Sequence, residues 1–94
     1  MKLYLDTSTD TCALRLNDHE YMRVGRYDLA EKIFTFIHEQ LLANQADWSD
    51  ISEITFFSGP GSFTGLRIGA AVVNTLAHEL KIPLYDHHGV QHDL

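Results

Sequence analysis

The chain has 94 residues, enough for one domain, since compact domains usually run to ~100–150 residues. Its 45% hydrophobic and 21% charged content is that of a globular protein and excludes a disordered, collagenous or disulfide-stapled chain. Seven Lys plus Arg oppose 13 Asp plus Glu for a formal charge of −6, so phosphate backbones and anionic lipid surfaces are repelled and neither nucleic acid nor membrane is expected as a direct partner.

No apolar run approaches the ~20 residues that a membrane-spanning helix needs. The lone Cys12 has no partner for an internal disulfide, which suits a reducing, cytoplasmic setting. A chain this short covers only about 60–65% of its unfolded surface, so a partner that hides more apolar area would help it.

In chain order, Lys2-Leu3-Tyr4-Leu5 is apolar on both faces and predicts a central strand. The turn cluster Asp6-Thr7-Ser8-Thr9-Asp10 leads into Cys12–Leu16, whose alternation puts Cys12, Leu14 and Leu16 on one face. Glu20–Arg26, after Asn17-Asp18-His19, reads as a third strand of mixed polarity, as at a sheet edge. A helix is predicted from Asp28, its N-cap, to about Asn44. Its apolar residues, Leu29, Ala30, Ile33, Phe34, Phe36, Ile37, Leu41 and Leu42, spread over more than one stripe, so it needs cover on two sides. Ile51–Phe57 reads as a buried strand, Leu66–Leu80 as a second helix, and Pro83-Leu84-Tyr85 as a last strand. The order β-β-β-α-β-α(-β) predicts an α/β domain spanning 1–94, a mixed sheet with helices packed on it.

The candidate chemistry lies in three places. Ser58-Gly59-Pro60-Gly61-Ser62-Phe63-Thr64-Gly65-Leu66-Arg67-Ile68-Gly69 joins a strand to a helix. It reads either as a tight structural turn or as an anion cradle capped by Ser62 or Thr64. It is neither a Walker A loop nor a dinucleotide fingerprint, because no Gly-Lys-Ser/Thr follows and Thr64 stands at the third glycine. Gly65 and Gly69, one helical turn apart with Ala70 and Val73, form a smooth face for either another helix or the chain's own sheet. Asp6-Thr7-Ser8 can serve a metal-bound phosphate or close an Asx turn. In the tail, Asp86, His87, His88, His92 and Asp93 offer metal-ligand types. Gly89 weakens a helix there, and no Glu follows the first His, so a solvated tail without metal is expected. No spacing relates a nucleophile to a base, and Cys12 reads as a buried small hydrophobe.

Asp6-Thr7-Ser8 after an apolar strand, and above all Gly59-Pro60-Gly61-Ser62-Phe63-Thr64-Gly65-Leu66-Arg67-Ile68-Gly69, resemble the TsaB (YeaZ) family over Met1 to about Tyr85. The resemblance implies an actin-like, ribonuclease-H-like fold and an accessory role in tRNA threonylcarbamoyladenosine synthesis. It also implies pairing through the two N-terminal helices, with itself or with a TsaD-type catalytic subunit, joined by a TsaE-type ATPase. Three departures stand out. Family members run to about twice this length with a second domain. Leu29-Ala30 stand where relatives carry a His and a hydroxyl residue. The tail from Asp86 does not match.

The resulting expectation is a single N-terminal-type domain that supports a TsaD-type subunit, does no chemistry itself and takes no cofactor. Leu29, Ile33, Phe36, Ile37, Gly69, Val72 and Val73 are placed at the partner surface, and Asp6, Gly59, Gly61, Gly65 and Arg67 in the structural motif. Two rivals stay open, a small metal-dependent hydrolase using Asp6 or the tail histidines, and an anion- or nucleotide-binding module built on the glycine loop.

Overall fold

The structure, a computed structural model, describes residues 1–25 and 27–92. Arg26, the end of the expected third strand, and Asp93 of the tail lie outside the described residues. Strands β1 (Lys2–Asp6), β2 (Thr11–Leu16) and β3 (His19–Val24) form an antiparallel meander. Helix α1 (Leu29–Ala43) leads through a 3-10 turn at Trp48–Asp50 to β4 (Glu53–Phe56), and α2 (Phe63–Leu80) leads to β5 (Leu84–Asp86) and β6 (Gln91–His92). The sheet order is β3-β2-β1-β4-β5-β6, with β4 parallel to both β1 and β5.

Register explains the single core. Leu3 faces Leu16 and Ile54, Leu5 faces Leu14 and Phe56, and Ile54 faces Leu84, so one sheet face is a continuous apolar layer. The buried sides of α1 (Leu29, Ile33, Phe36, Ile37, Leu41) and α2 (Val72, Val73, Leu76, Ala77) join that layer in one cluster. The opposite face carries Lys2, Tyr4, Arg15 and Thr55, with the Arg15 guanidinium 4.6 Å above the Tyr4 ring.

Several boundaries shift for identifiable reasons. Asp28 sits at the backbone N-cap of α1, yet its side chain makes no cap; it pairs with Arg23 at 3.0 Å instead. Helix α2 starts at Phe63, three residues before the expected Leu66, because the Ser62 hydroxyl accepts the Gly65 amide at 3.2 Å. The tail is exposed at 88–91, yet it is folded back onto the sheet. Asp86 Oδ1 accepts the amides of His88 (2.9 Å) and Val90 (3.1 Å), closing a turn that pairs β6 with β5. Asp86 Oδ2 lies 3.1 Å from His92 Nε2, and this hydrogen bond, more than the turn amides, holds the Asp86 carboxyl below the usual range.

Candidate partner-binding face

The glycine-rich motif is built against the end of β1. Asp6 Oδ1 accepts both the amide (2.9 Å) and the hydroxyl (2.6 Å) of Ser8, so the Asx turn is closed. That turn aims Thr7 and Ser8 at the start of α2. The Ser62 amide donates to the Ser8 carbonyl at 2.7 Å, and the buried Thr7 hydroxyl donates to the Gly65 carbonyl at 2.7 Å. A methyl group at Gly65 would overlap the Thr7 carbonyl oxygen, and one at Gly69 would overlap Thr7 Oγ1. At Gly61 it would come within 2.5 Å of Ser8 Cβ. Gly59, at φ +120°, makes the turn that brings the loop there.

The motif is therefore a steric seam between α2 and the β1–β2 turn. Within it the Ser62 amide is committed to the Ser8 carbonyl, and the Ser62 hydroxyl accepts the Gly65 amide. Gly69 packs on the chain's own strand end, which settles the two readings of the small-residue face.

The seven residues expected at a partner surface need correction. Leu29, Ile33, Phe36, Ile37, Gly69, Val72 and Val73 are all buried by this chain itself. The reason is the direction of the two apolar stripes: the richer stripe of each helix turns to the sheet, and the thinner one is left outside. What remains outside is a groove of about 490 Å³ between α1 and α2. Ala30 and Phe34 form its α1 wall; Phe63, Arg67, Ile68 and Ala71 form its α2 wall, and of the seven only Val72 reaches its floor. Phe63 is 74% exposed and Phe34 38%. Phe34 is braced edge-on by Trp48 at 6.5 Å between centroids, and Trp48 in turn stacks on His38 at 5.3 Å. Of the five residues assigned to the structural motif, Asp6, Gly59, Gly61 and Gly65 shape the seam, while Arg67 is exposed and lines the groove.

Phe34 and Phe63 are the residues that sequence reasoning missed. Phe63 gave a signal, an aromatic residue inside a loop of glycines and hydroxyls. Phe34 gave none, because it is one apolar position among nine on α1.

Elsewhere the chemistry is sparse. Among the described residues no group of three His, Cys, Asp or Glu side chains is placed to hold a metal ion. His87 stacks on Phe57 at 4.3 Å, and its Nδ1 accepts the Ser58 amide at 3.1 Å, tying the tail turn to the start of the glycine loop. Cys12 is buried, and desolvation pushes its thiol up to about 11. No helix among the described residues is long and apolar enough to cross a membrane.

Comparison with known proteins places this architecture. The family described as TsaD, tRNA N6-adenosine threonylcarbamoyltransferase, matches residues 26–92. The tRNA threonylcarbamoyladenosine biosynthesis protein TsaB of Bacillus subtilis is 34% identical over 89 residues, covering 87% of this chain and 38% of that protein. The protein of the same name from Buchnera aphidicola (Acyrthosiphon pisum) is 30% identical over 90 residues, covering 87% of this chain and 39% of its own length. The structure of YeaZ from Pseudomonas aeruginosa superposes with a TM-score of 0.79 at 32% identity, covering 90% of this chain and 42% of that one. The chain thus spans about two-fifths of the length of the relatives it matches. The fold is the actin-like, ribonuclease-H-like fold of the YeaZ structures. The chain belongs to the TsaD family of tRNA threonylcarbamoyladenosine synthesis, and within it resembles the TsaB (YeaZ) proteins.

Proposed function

We propose that this chain acts as a non-catalytic accessory unit of tRNA threonylcarbamoyladenosine synthesis, docking through the α1–α2 groove onto a TsaD-type catalytic subunit. The observation that carries this reading is the groove itself: two exposed phenylalanines stand in walls that also carry Ala30, Ile68 and Ala71. Exposed apolar area of that kind is costly in water and marks a contact surface. The closed Asp6 turn supports the non-catalytic half of the reading, since one carboxylate oxygen is already committed to Ser8. No cofactor is assigned to the chain, and a TsaE-type ATPase is the third member expected in the complex. The acidic charge leaves tRNA to the catalytic subunit and fits a cytoplasmic place of action. A homodimer through the same groove is the competing occupant.

The test is reconstituted tRNA modification with two variants. Phe34→Asp puts a carboxylate where the partner's apolar surface must sit and should abolish modification while the chain stays folded. Asp6→Asn should keep modification nearly intact. A dead Asp6 variant that still folds and binds, beside an active Phe34 variant, overturns the reading in favour of catalysis.

A further inference from the structure

Resting on that docking reading, we propose that the groove is selective for an acidic partner segment: an apolar helix carrying a carboxylate that pairs with Arg67. The glycine motif contains one charged residue, and the seam does not use it. Gly61, Gly65 and Gly69 are accounted for by Thr7 and Ser8, and Ser62 by its cap, whereas Arg67 points away from the seam into the groove wall. It is the one charged side chain among the groove-lining residues, the others being Ala, Phe, Thr, Ile and Val. Its guanidinium stands 5.5 Å from the centre of the exposed Phe63 ring, so the cation is held at the lip by a planar platform. None of the ion pairs among the described residues engages it.

The charge balance sharpens the point. The chain carries −6 overall, so a cation at an apolar docking face runs against the field of the rest of the molecule. A covering helix that buried Arg67 without a carboxylate would leave an unpaired charge, which is strongly unfavourable; one that brought a carboxylate would gain a desolvated bidentate pair. The arrangement of an arginine and two aromatic residues among apolar side chains is that of an interface centre. Arg67 therefore acts as a specificity residue of the docking face.

The experiment is titration of the full chain against the threonylcarbamoyltransferase subunit encoded by the same genome, at low and high NaCl, with thermal melts of every variant. Wild-type affinity should fall with salt. Arg67→Gln should bind about tenfold more weakly with a flattened salt dependence, and Arg67→Glu about a hundredfold more weakly. Arg67→Lys should keep the salt dependence. The melts should be unchanged, since Arg67 is exposed. If Phe34→Asp abolishes binding while Arg67→Gln and Arg67→Glu bind like wild type, the pairing is wrong and the docking reading survives. If Phe34→Asp also binds like wild type, the docking reading itself fails. A lowered melting temperature for Arg67→Gln would make Arg67 a structural residue and overturn the inference. So would a dimer of this chain that excludes the subunit from the groove.

Discussion

Along one side of α2 and the loop leading into it, Gly61, Gly65 and Gly69 bring the chain so near to Thr7 and Ser8 that no methyl group fits between. Along the other, Phe63, Arg67 and Ala71 border a groove of about 490 Å³ that the described residues leave open. The two sides differ in what a substitution meets. In the seam it meets the chain's own Thr7 and Ser8, so the cost falls on folding. In the groove it meets solvent, so folding is spared and the proposed docking would bear the cost. One helix thus separates the part of a glycine-rich motif that holds the fold from the part free to meet another protein. Motif membership alone does not tell the two apart.

The largest expected effect is in the seam. Gly65→Ala drives a methyl group into the Thr7 carbonyl, a backbone atom that cannot rotate away. Urea denaturation should show a loss of roughly 3 kcal/mol or more, despite the ~1 kcal/mol that alanine gains in helix propensity. A variant as stable as wild type would break the distinction between the two sides. Gly69→Ala meets a side-chain oxygen instead, so its cost should be smaller, about 1–3 kcal/mol, and should shrink in a Thr7→Ala background. A double-mutant cycle measures that coupling; purely additive costs would place the obstacle elsewhere.

Helix α2 ends at Lys81, which takes the left-handed conformation at φ 56° and ψ 48°. Lys81→Gly relieves that backbone and should raise stability by about 0.5–1 kcal/mol, with no change in partner affinity. A simultaneous change in affinity would mean that the groove responds to the stability of the helix as a whole. The smallest effect is local. Asp86 has a folded-state pKa below its unfolded value, chiefly through His92. Its contribution is therefore present above about pH 4, the unfolded carboxylate value, and is lost as pH falls through the folded one. Protection of the Val90 amide, relative to its intrinsic exchange rate, should fall over that acid window in the wild type. In Asp86→Asn it should already be lower at neutral pH, with the acid step gone.

The strand and helix order was legible because periods of 2 and 3.6 are local properties of the chain. The first five strands match their expected positions to within about two residues, β6 is additional, and β3 sits at the sheet edge as its mixed polarity predicts. Which side of each helix turns inward was not legible. Leu29, Ala30, Ile33, Phe34, Phe36 and Ile37 are apolar on two adjoining stripes, and only the sheet decides that Ile33 is enclosed while Phe34 stays out. The start of α2 was hidden because Ser62 and Thr64 are both plausible caps, and the choice rests on where Ser8 lies in space. The turn that folds the exposed tail back is not legible, because it depends on one carboxylate gathering two amides and a histidine.

Hydrogen–deuterium exchange of the chain with and without the threonylcarbamoyltransferase subunit tests the central claim most directly. The account predicts new protection in the segments around Ala30–Phe34 and Phe63–Thr75, which border the groove. It predicts none along β3 or in the β5–β6 turn. Protection confined to β3 or to the sheet face bearing Tyr4 and Arg15, with the groove segments unchanged, would contradict it.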